Sequence, residues 1–256
     1  MQGSTQRRRN NASDASWGVP PHRPLASAAP PCPGASACDT ILVMLPVRVL
    51  LAAVAVTGAI HGRVAIKTKA GVDKTDLSEV VVFVADVNAP VVGVHAEIRQ
   101  KDKQYMPRVL AVAAGTIVAF PNDDPLEHNV FSHSASADFD LGRYAKGPGK
   151  SFTFSKPGVV EVFCNVHQEM LSYVVVAPSP AFAITRADGG FEINAVPPGK
   201  HRIGIWDRLA RPKLQEVEVD VPAADAASLA PVIVEEADGD PPHKNKFGVV
   251  YNPGYH

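Results

Sequence analysis

Beyond residue 60 the apolar positions of this chain fall in short runs rather than at helical spacing. Gly62–Ile66, Val80–Val84, Val109–Val112, Thr116–Phe120, Ser151–Phe154, Val159–Phe163 and Leu171–Ala177 are rich in Val, Ile, Phe and Tyr. Turn signals stand between them: Ala70-Gly71, Ala114-Gly115, Pro121 to Pro125, Gly147-Pro148-Gly149 and Lys156-Pro157-Gly158. β-rich runs punctuated in this way predict an all-β protein of sandwich or barrel type. Ala223 to Ala230 is the best candidate for a short turn of helix, and no repeat of fixed period is present.

The N-terminal part reads differently. Residues 1–43 are rich in Arg, Pro, Ala and Ser without apolar periodicity, and are expected to be an unstructured extension or the product of an upstream start codon. Met44 to Arg48 then leads into an apolar run, Val49 to Ile60, with small residues at Thr57, Gly58 and Ala59. Positive charge, a short apolar stretch and a small-residue site are the order of a signal peptide, so residues 44–59 predict export to the periplasm or medium with cleavage near Ala59. Retention of the segment as a membrane anchor is the alternative, although Pro46 and Arg48 interrupt it.

Composition narrows the class. At 46% hydrophobic and 20% charged residues the chain can bury a core. A formal charge of −1 argues against nucleic acid as a partner. Removing residues 1–59 leaves 20 basic against 24 acidic residues and takes away Cys32 and Cys38. Cys164 is then alone, which excludes a disulfide framework and leaves a thiol that is either inert or bound to something.

The candidate chemistry lies in Val159 to Val176. Cys164, His167 and Met170 follow one another at intervals of three between two strongly β segments. On the incoming strand Val160, Val162 and Cys164 share a face, so the sulfur should point into the core at the strand's end. Upstream, Glu127-His128-Asn129-Val130 follows the Thr116–Phe120 run and offers a second imidazole. Two histidines and a cysteine with a weak axial methionine form the ligand set of an electron-transfer copper site. Zinc is the rival metal, for which methionine is a poor fourth ligand. His133 and Asp138 nearby read as a solvated polar loop, with a second metal site as the alternative. His61, His95, His201, His243 and His256 have no ligand-like spacing.

These motifs resemble the cupredoxins over residues 91–178. The Cys-x-x-His-x-x-Met spacing is most similar to amicyanin, of the methylamine-utilisation type, whereas plastocyanin-like members have a longer His-to-Met gap. The resemblance implies one type 1 copper ion, with His128, Cys164 and His167 as equatorial ligands, Met170 as the axial one, and Asn129 bracing the ligand loop from behind. It further implies that His167 is the electron portal at an exposed apolar end, framed by Leu171 and Pro125.

The C-terminal third carries a second signature. Thr185-x-x-Asp188-Gly189-x-Phe191-x-Ile193, followed by Val196-Pro-Pro-Gly199 and an apolar strand to Trp206, resembles the carboxypeptidase regulatory-like or transthyretin-like β-sandwich, a carbohydrate-binding-like fold. The element that precedes these strands in that family stands far upstream here, as Gly62-Arg-Val64, Gly71 and Val80–Val84.

The expected architecture is therefore all-β: a Greek-key cupredoxin sandwich, residues 91–178, inserted into a smaller transthyretin-like sandwich built from residues 60–90 and 179–236. Tandem domains are the alternative, and residues 237–256 read as a flexible tail. The expected function is an exported, non-enzymatic blue copper protein shuttling single electrons between redox proteins such as a c-type cytochrome or a dehydrogenase. A copper carrier or storage protein is one alternative, and a glycan- or protein-binding module with a structural metal is the other. A copper oxidase or nitrite reductase would need further His-x-His clusters, and the sequence has none.

Overall fold

The computed structural model describes residues 57–210, 213–223, 225–236 and 244–250. The N-terminal extension and most of the expected signal segment lie outside the described residues. Its last residues do not: Gly58 and Ala59 belong to the first strand, so β1 stays whole only if processing occurs before Gly58.

The described residues form eighteen strands and no helix: β1 (Gly58–Lys67), β2 (Val81–Val84), β3 (His95–Glu97), β4 (Arg99–Lys101), β5 (Gln104–Met106), β6 (Val109–Ala113), β7 (Thr116–Asn122), β8 (His128–Ser134), β9 (Ala137–Tyr144), β10 (Gly147–Phe154), β11 (Gly158–Phe163), β12 (Leu171–Ala177), β13 (Phe182–Ile184), β14 (Gly190–Val196), β15 (Gly199–Trp206), β16 (Leu214–Val221), β17 (Ala226–Ser228) and β18 (Val232–Glu235). They make four sheets. Two come from the central stretch, in the orders β6-β12-β11-β8-β9 and β10-β7-β4-β5, with β3 also on β7. The other two combine strands from both ends, in the orders β14-β1-β17, with β18 also on β1, and β13-β2-β15-β16.

Side-chain alternation explains how these sheets stack. Val82, Val84, Ile203 and Ile205 face β1 and β14, where Ile60, Val64 and Ile193 complete one core. The alternate residues Val81 and Trp206 face the other way, onto Tyr173, Val175 and Val109 of the central stretch. Within β12, Val174 and Val176 turn to a third core with Ile98, Val118, Phe120, Phe154, Val160 and Val162. Strands β2 and β12 and the Ile203–Trp206 half of β15 are thus buried on both faces, the physical reason that these stretches are nearly continuous apolar runs rather than alternating ones. Gly204 belongs to this arrangement, because a Cβ there would meet the Phe83 ring.

The Asp188-Gly189 turn joins β13 to β14. Gly189 has φ +79° and a Cβ would strike the Val64 carbonyl, so glycine is required twice over.

Two expectations change. Within the 223–230 stretch, where a helical turn was expected, Ala226–Ser228 forms β17: it pairs parallel with β1, Ala227 opposite Ile60, and the buried Ala227 methyl gains more from the core than a lone helical turn could supply. His133 and Asp138 lie not in a loop but opposite each other on the β8–β9 hairpin. Of the C-terminal stretch, Lys246 donates from Nζ to Asp140 and from its backbone N–H to Asn165.

Candidate metal centre

Antiparallel pairing of β8 with β11, Phe131 opposite Phe163, carries the start of β8 to the end of β11. His128 is the first residue of β8 and Cys164 the first beyond β11. The chain from Cys164 to Met170 folds back on itself before β12: Met170 N–H donates to the His167 carbonyl and Cys164 N–H to the Met170 carbonyl, both at 3.2 Å. The Tyr105 hydroxyl lies 2.8 Å from the Asn129 carbonyl and 3.2 Å from that of Phe163, tying the two ligand-bearing strands together.

Donor atoms of His128, Cys164 and His167 lie within 4.8 Å of one another. The two imidazoles meet through Nδ1 at 3.1 Å, and Cys164 Sγ is 3.9 Å from His167 Nδ1. His128, Cys164 and Met170 are fully buried, while His167 is 7% exposed. Met170 packs in the same core cluster as Cys164. Metal bonds of about 2.0 Å to nitrogen and 2.3 Å to sulfur impose donor separations of this size, so the three side chains fit a single ion. Among the described residues no other such cluster of histidine, cysteine and carboxylate donors occurs.

The electrostatics suit a thiolate. Burial pushes the Cys164 thiol up, but the neighbouring His128 ring and the backbone N–H groups of Asn129, Val166 and His167 hold it below its ordinary value. Burial works against charge on His128 too, yet Cys164 and Asp124 raise it. His167 is lowered, first by burial and then by His128. A thiol eased toward its thiolate, beside a His167 biased toward its neutral form, is the pairing that suits a soft cation.

All four ligand candidates named from sequence sit in this one region. Asn129 sends its side-chain N–H to Asp140 at 2.7 Å, and its backbone N–H reaches the Cys164 sulfur. Leu171, expected to frame an exposed patch, is buried against Trp206 and Tyr173 instead, because β12 faces a core on that side. His133 reaches Asp138 at 2.8 Å on an exposed hairpin. Sequence reasoning missed Asp124, which holds His128 Nε2 at 2.7 Å, and Tyr105. Only the four-residue spacing from Asp124 to His128 hinted at the first.

The segment is similar to plastocyanin. Over 73 residues it is 37% identical to the chloroplastic plastocyanin of Physcomitrium patens, a match covering 25% of this chain and 44% of that one, so the chain spans under half the length of this relative. No protein-family model matches. Among solved structures, a purple cupredoxin from Nitrosopumilus maritimus is 24% identical over 32% of this chain and 99% of its own, with a TM-score of 0.29. A reduced tryptophan-to-tyrosine variant of amicyanin is 26% identical over 37% and 90%, with a TM-score of 0.31. A copper-containing nitrite reductase from Thermus scotoductus is 22% identical over 36% and 25%, also at 0.31. The plastocyanin-like segment makes the fold cupredoxin-like, within an all-β chain of stacked sheets.

Proposed function

We propose that this chain is an exported type 1 copper protein that passes single electrons between redox proteins. The observation that carries the reading is the buried convergence of His128, Cys164 and His167. His128, Cys164 and His167 would hold the ion, with Met170, packed in the same core as Cys164, as a fourth donor. The donor chemistry favours copper over zinc: thiolate and thioether are soft ligands that suit Cu(I), and imidazole suits copper generally. Copper bound there supplies a one-electron couple.

The chain's own residues do the rest. The turn from Cys164 to Met170, closed by its two backbone hydrogen bonds, and the Tyr105 tie between β8 and β11 hold the donors in place. A fixed donor set limits the rearrangement that accompanies a change of oxidation state. His167 alone among them reaches the surface, which makes its ring the natural path for the electron. Enclosure of the remaining donors favours an electron carrier over a protein that hands copper on. A c-type cytochrome or a dehydrogenase is the class of partner proposed, and residues 44–59 are the proposed export signal. The domain proposal is an inserted cupredoxin sandwich, residues 91–178, within a transthyretin-like one. It draws support from the pairing of β1 with β14 and of β2 with β15, across the whole inserted stretch.

Visible and EPR spectra of the secreted protein after addition of Cu(II), beside Cys164→Ser, test the function. An intense blue band with narrow hyperfine splitting, lost in the variant, is expected. A colourless protein that takes up no copper would leave a β-sandwich binding module as the better reading.

A further inference from the structure

Asp124 is 6% exposed and stands at the end of a loop that is itself tightly held. Its own N–H donates to Asn122 Oδ1 at 2.9 Å, and Asn122 in turn donates from Nδ2 to the Leu126 carbonyl at 2.8 Å. The carboxylate accepts the backbone N–H of Asp102 at 2.6 Å on Oδ1 and that of Lys103 at 2.9 Å on Oδ2. Both donors occupy the turn of the β4–β5 hairpin, and both have φ +54°, a left-handed conformation that non-glycine residues rarely adopt. The hairpin turn is thus shaped around the carboxylate, with two N–H groups aimed at it. The third group on Asp124 is His128 Nε2, at 2.7 Å from Oδ2.

A carboxylate surrounded by donors can only accept. The proton between it and the imidazole therefore belongs to Nε2, and Nδ1 of the neutral ring is left with a bare lone pair. That lone pair faces His167 Nδ1, 3.1 Å away, where the donor set converges.

We infer that Asp124 is the positioning residue of the centre: it sets the tautomer and orientation of His128 so that Nδ1 is offered to the metal, and its charge, conveyed through the ring, favours the oxidised ion. The inference rests on His128 being a ligand, as proposed above. The β4–β5 hairpin thereby becomes part of the site, since it holds the carboxylate in register. Carboxylates behind ligating histidines commonly govern metal affinity in this manner.

The test compares wild type with Asp124→Asn, which keeps the shape and removes the charge, and with Asp124→Ala. Imidazole 15N NMR of the metal-free protein, at a pH where the ring is neutral, should find His128 protonated on Nε2 in wild type, with that preference weakened in the alanine variant. Copper affinity, measured by competition with a chelator, should fall about 10- to 100-fold in both variants. The reduction potential should rise in both, and thermal melting of the metal-free proteins identifies any variant that has not folded. Should Asp124→Ala unfold, the Asn variant still reports affinity and potential. Unchanged affinity and potential in a folded, blue Asp124→Asn protein would overturn the inference and leave the copper reading intact. A wild type that binds no copper, yet loses its His128 tautomer preference on substitution, would sink the copper reading and support the positioning role. A tautomer unaffected by Asp124→Ala would overturn that role whatever the metal does.

Discussion

Trp206 sits at the junction of the two sandwiches and offers a sharp test of whether they share a core. It is 1% exposed, lies opposite Val81 in the β15–β2 pair, and packs against Tyr173 with the rings tilted at 53° and their centroids 5.2 Å apart. Tyr173 belongs to β12, the strand that leaves the ligand loop, and the other face of β12 closes over the core that contains Cys164 and Met170. Trp206→Ala therefore opens a cavity directly behind the strand that supports the loop. Large aromatic-to-alanine changes in a close-packed core cost about 3–5 kcal/mol, which already includes most of the lost aromatic pair. Against a total stability of about 5–15 kcal/mol, that is a large fraction. Urea unfolding followed by far-UV circular dichroism should show the free energy of unfolding falling by this amount, with the copper spectrum of the folded fraction retained, because no ligand candidate shares the core of the indole. A loss below about 1 kcal/mol, the level of an ordinary substitution, would refute a shared core and mean that the sandwiches fold independently.

Other outcomes follow from the same structure. His167→Ala should slow electron exchange with a redox partner far more than it lowers thermal stability, and exchange at the wild-type rate would refute the role of this ring as the electron path. Tyr105→Phe removes a hydroxyl that lies against two ligand-bearing strands and should cost about 1 kcal/mol, read by thermal melting. His133 is raised above its ordinary value of 6.5 by its hydrogen bond to Asp138 and then by the Lys246 carbonyl. A raised value means that the charged ring stabilises the fold: the contribution is fully present below 6.5 and fades as pH climbs through the folded-state value. Hydrogen exchange of the 244–250 segment should accelerate over that same rise, and a His133 C2–H resonance titrating at or below 6.5 would contradict the contact.

How much of this was written in the sequence differs from element to element. The all-β class, the runs that became β2, β6, β7, β10, β11 and β12, and the loop with Cys164, His167 and Met170 at intervals of three were legible, because each depends on local signals: β-branched runs, glycine and proline turns, and donor types at fixed spacing; β3, β4, β5, β8 and β9, short or rich in polar residues, were not. The Thr185-to-Trp206 motif likewise named its own strands and turns. Long-range pairing was expected only as a grouping of residues 60–90 with residues 179–236, from the displaced first element of that motif; the individual partners and registers had no local mark. That β1 joins β14 and β2 joins β15, about 120 to 140 residues downstream, follows from which apolar faces find each other once the chain is compact. Ala226–Ser228 became a strand by the same cause, and Leu171 was drawn inward because β12 has a core on each side. Asp124 looked like one acidic residue among several in a turn, and Tyr105 like any strand aromatic. Their contacts depend on a hairpin folded from residues 99–106 against the start of β8, which only the tertiary structure decides. The sequence by itself determined which side chains could bind a metal; folding determined that His128, 36 residues before Cys164, would lie beside it, because antiparallel pairing of β8 and β11 brings the two strand ends together and the buried Asp124 carboxylate holds Nε2 of the ring.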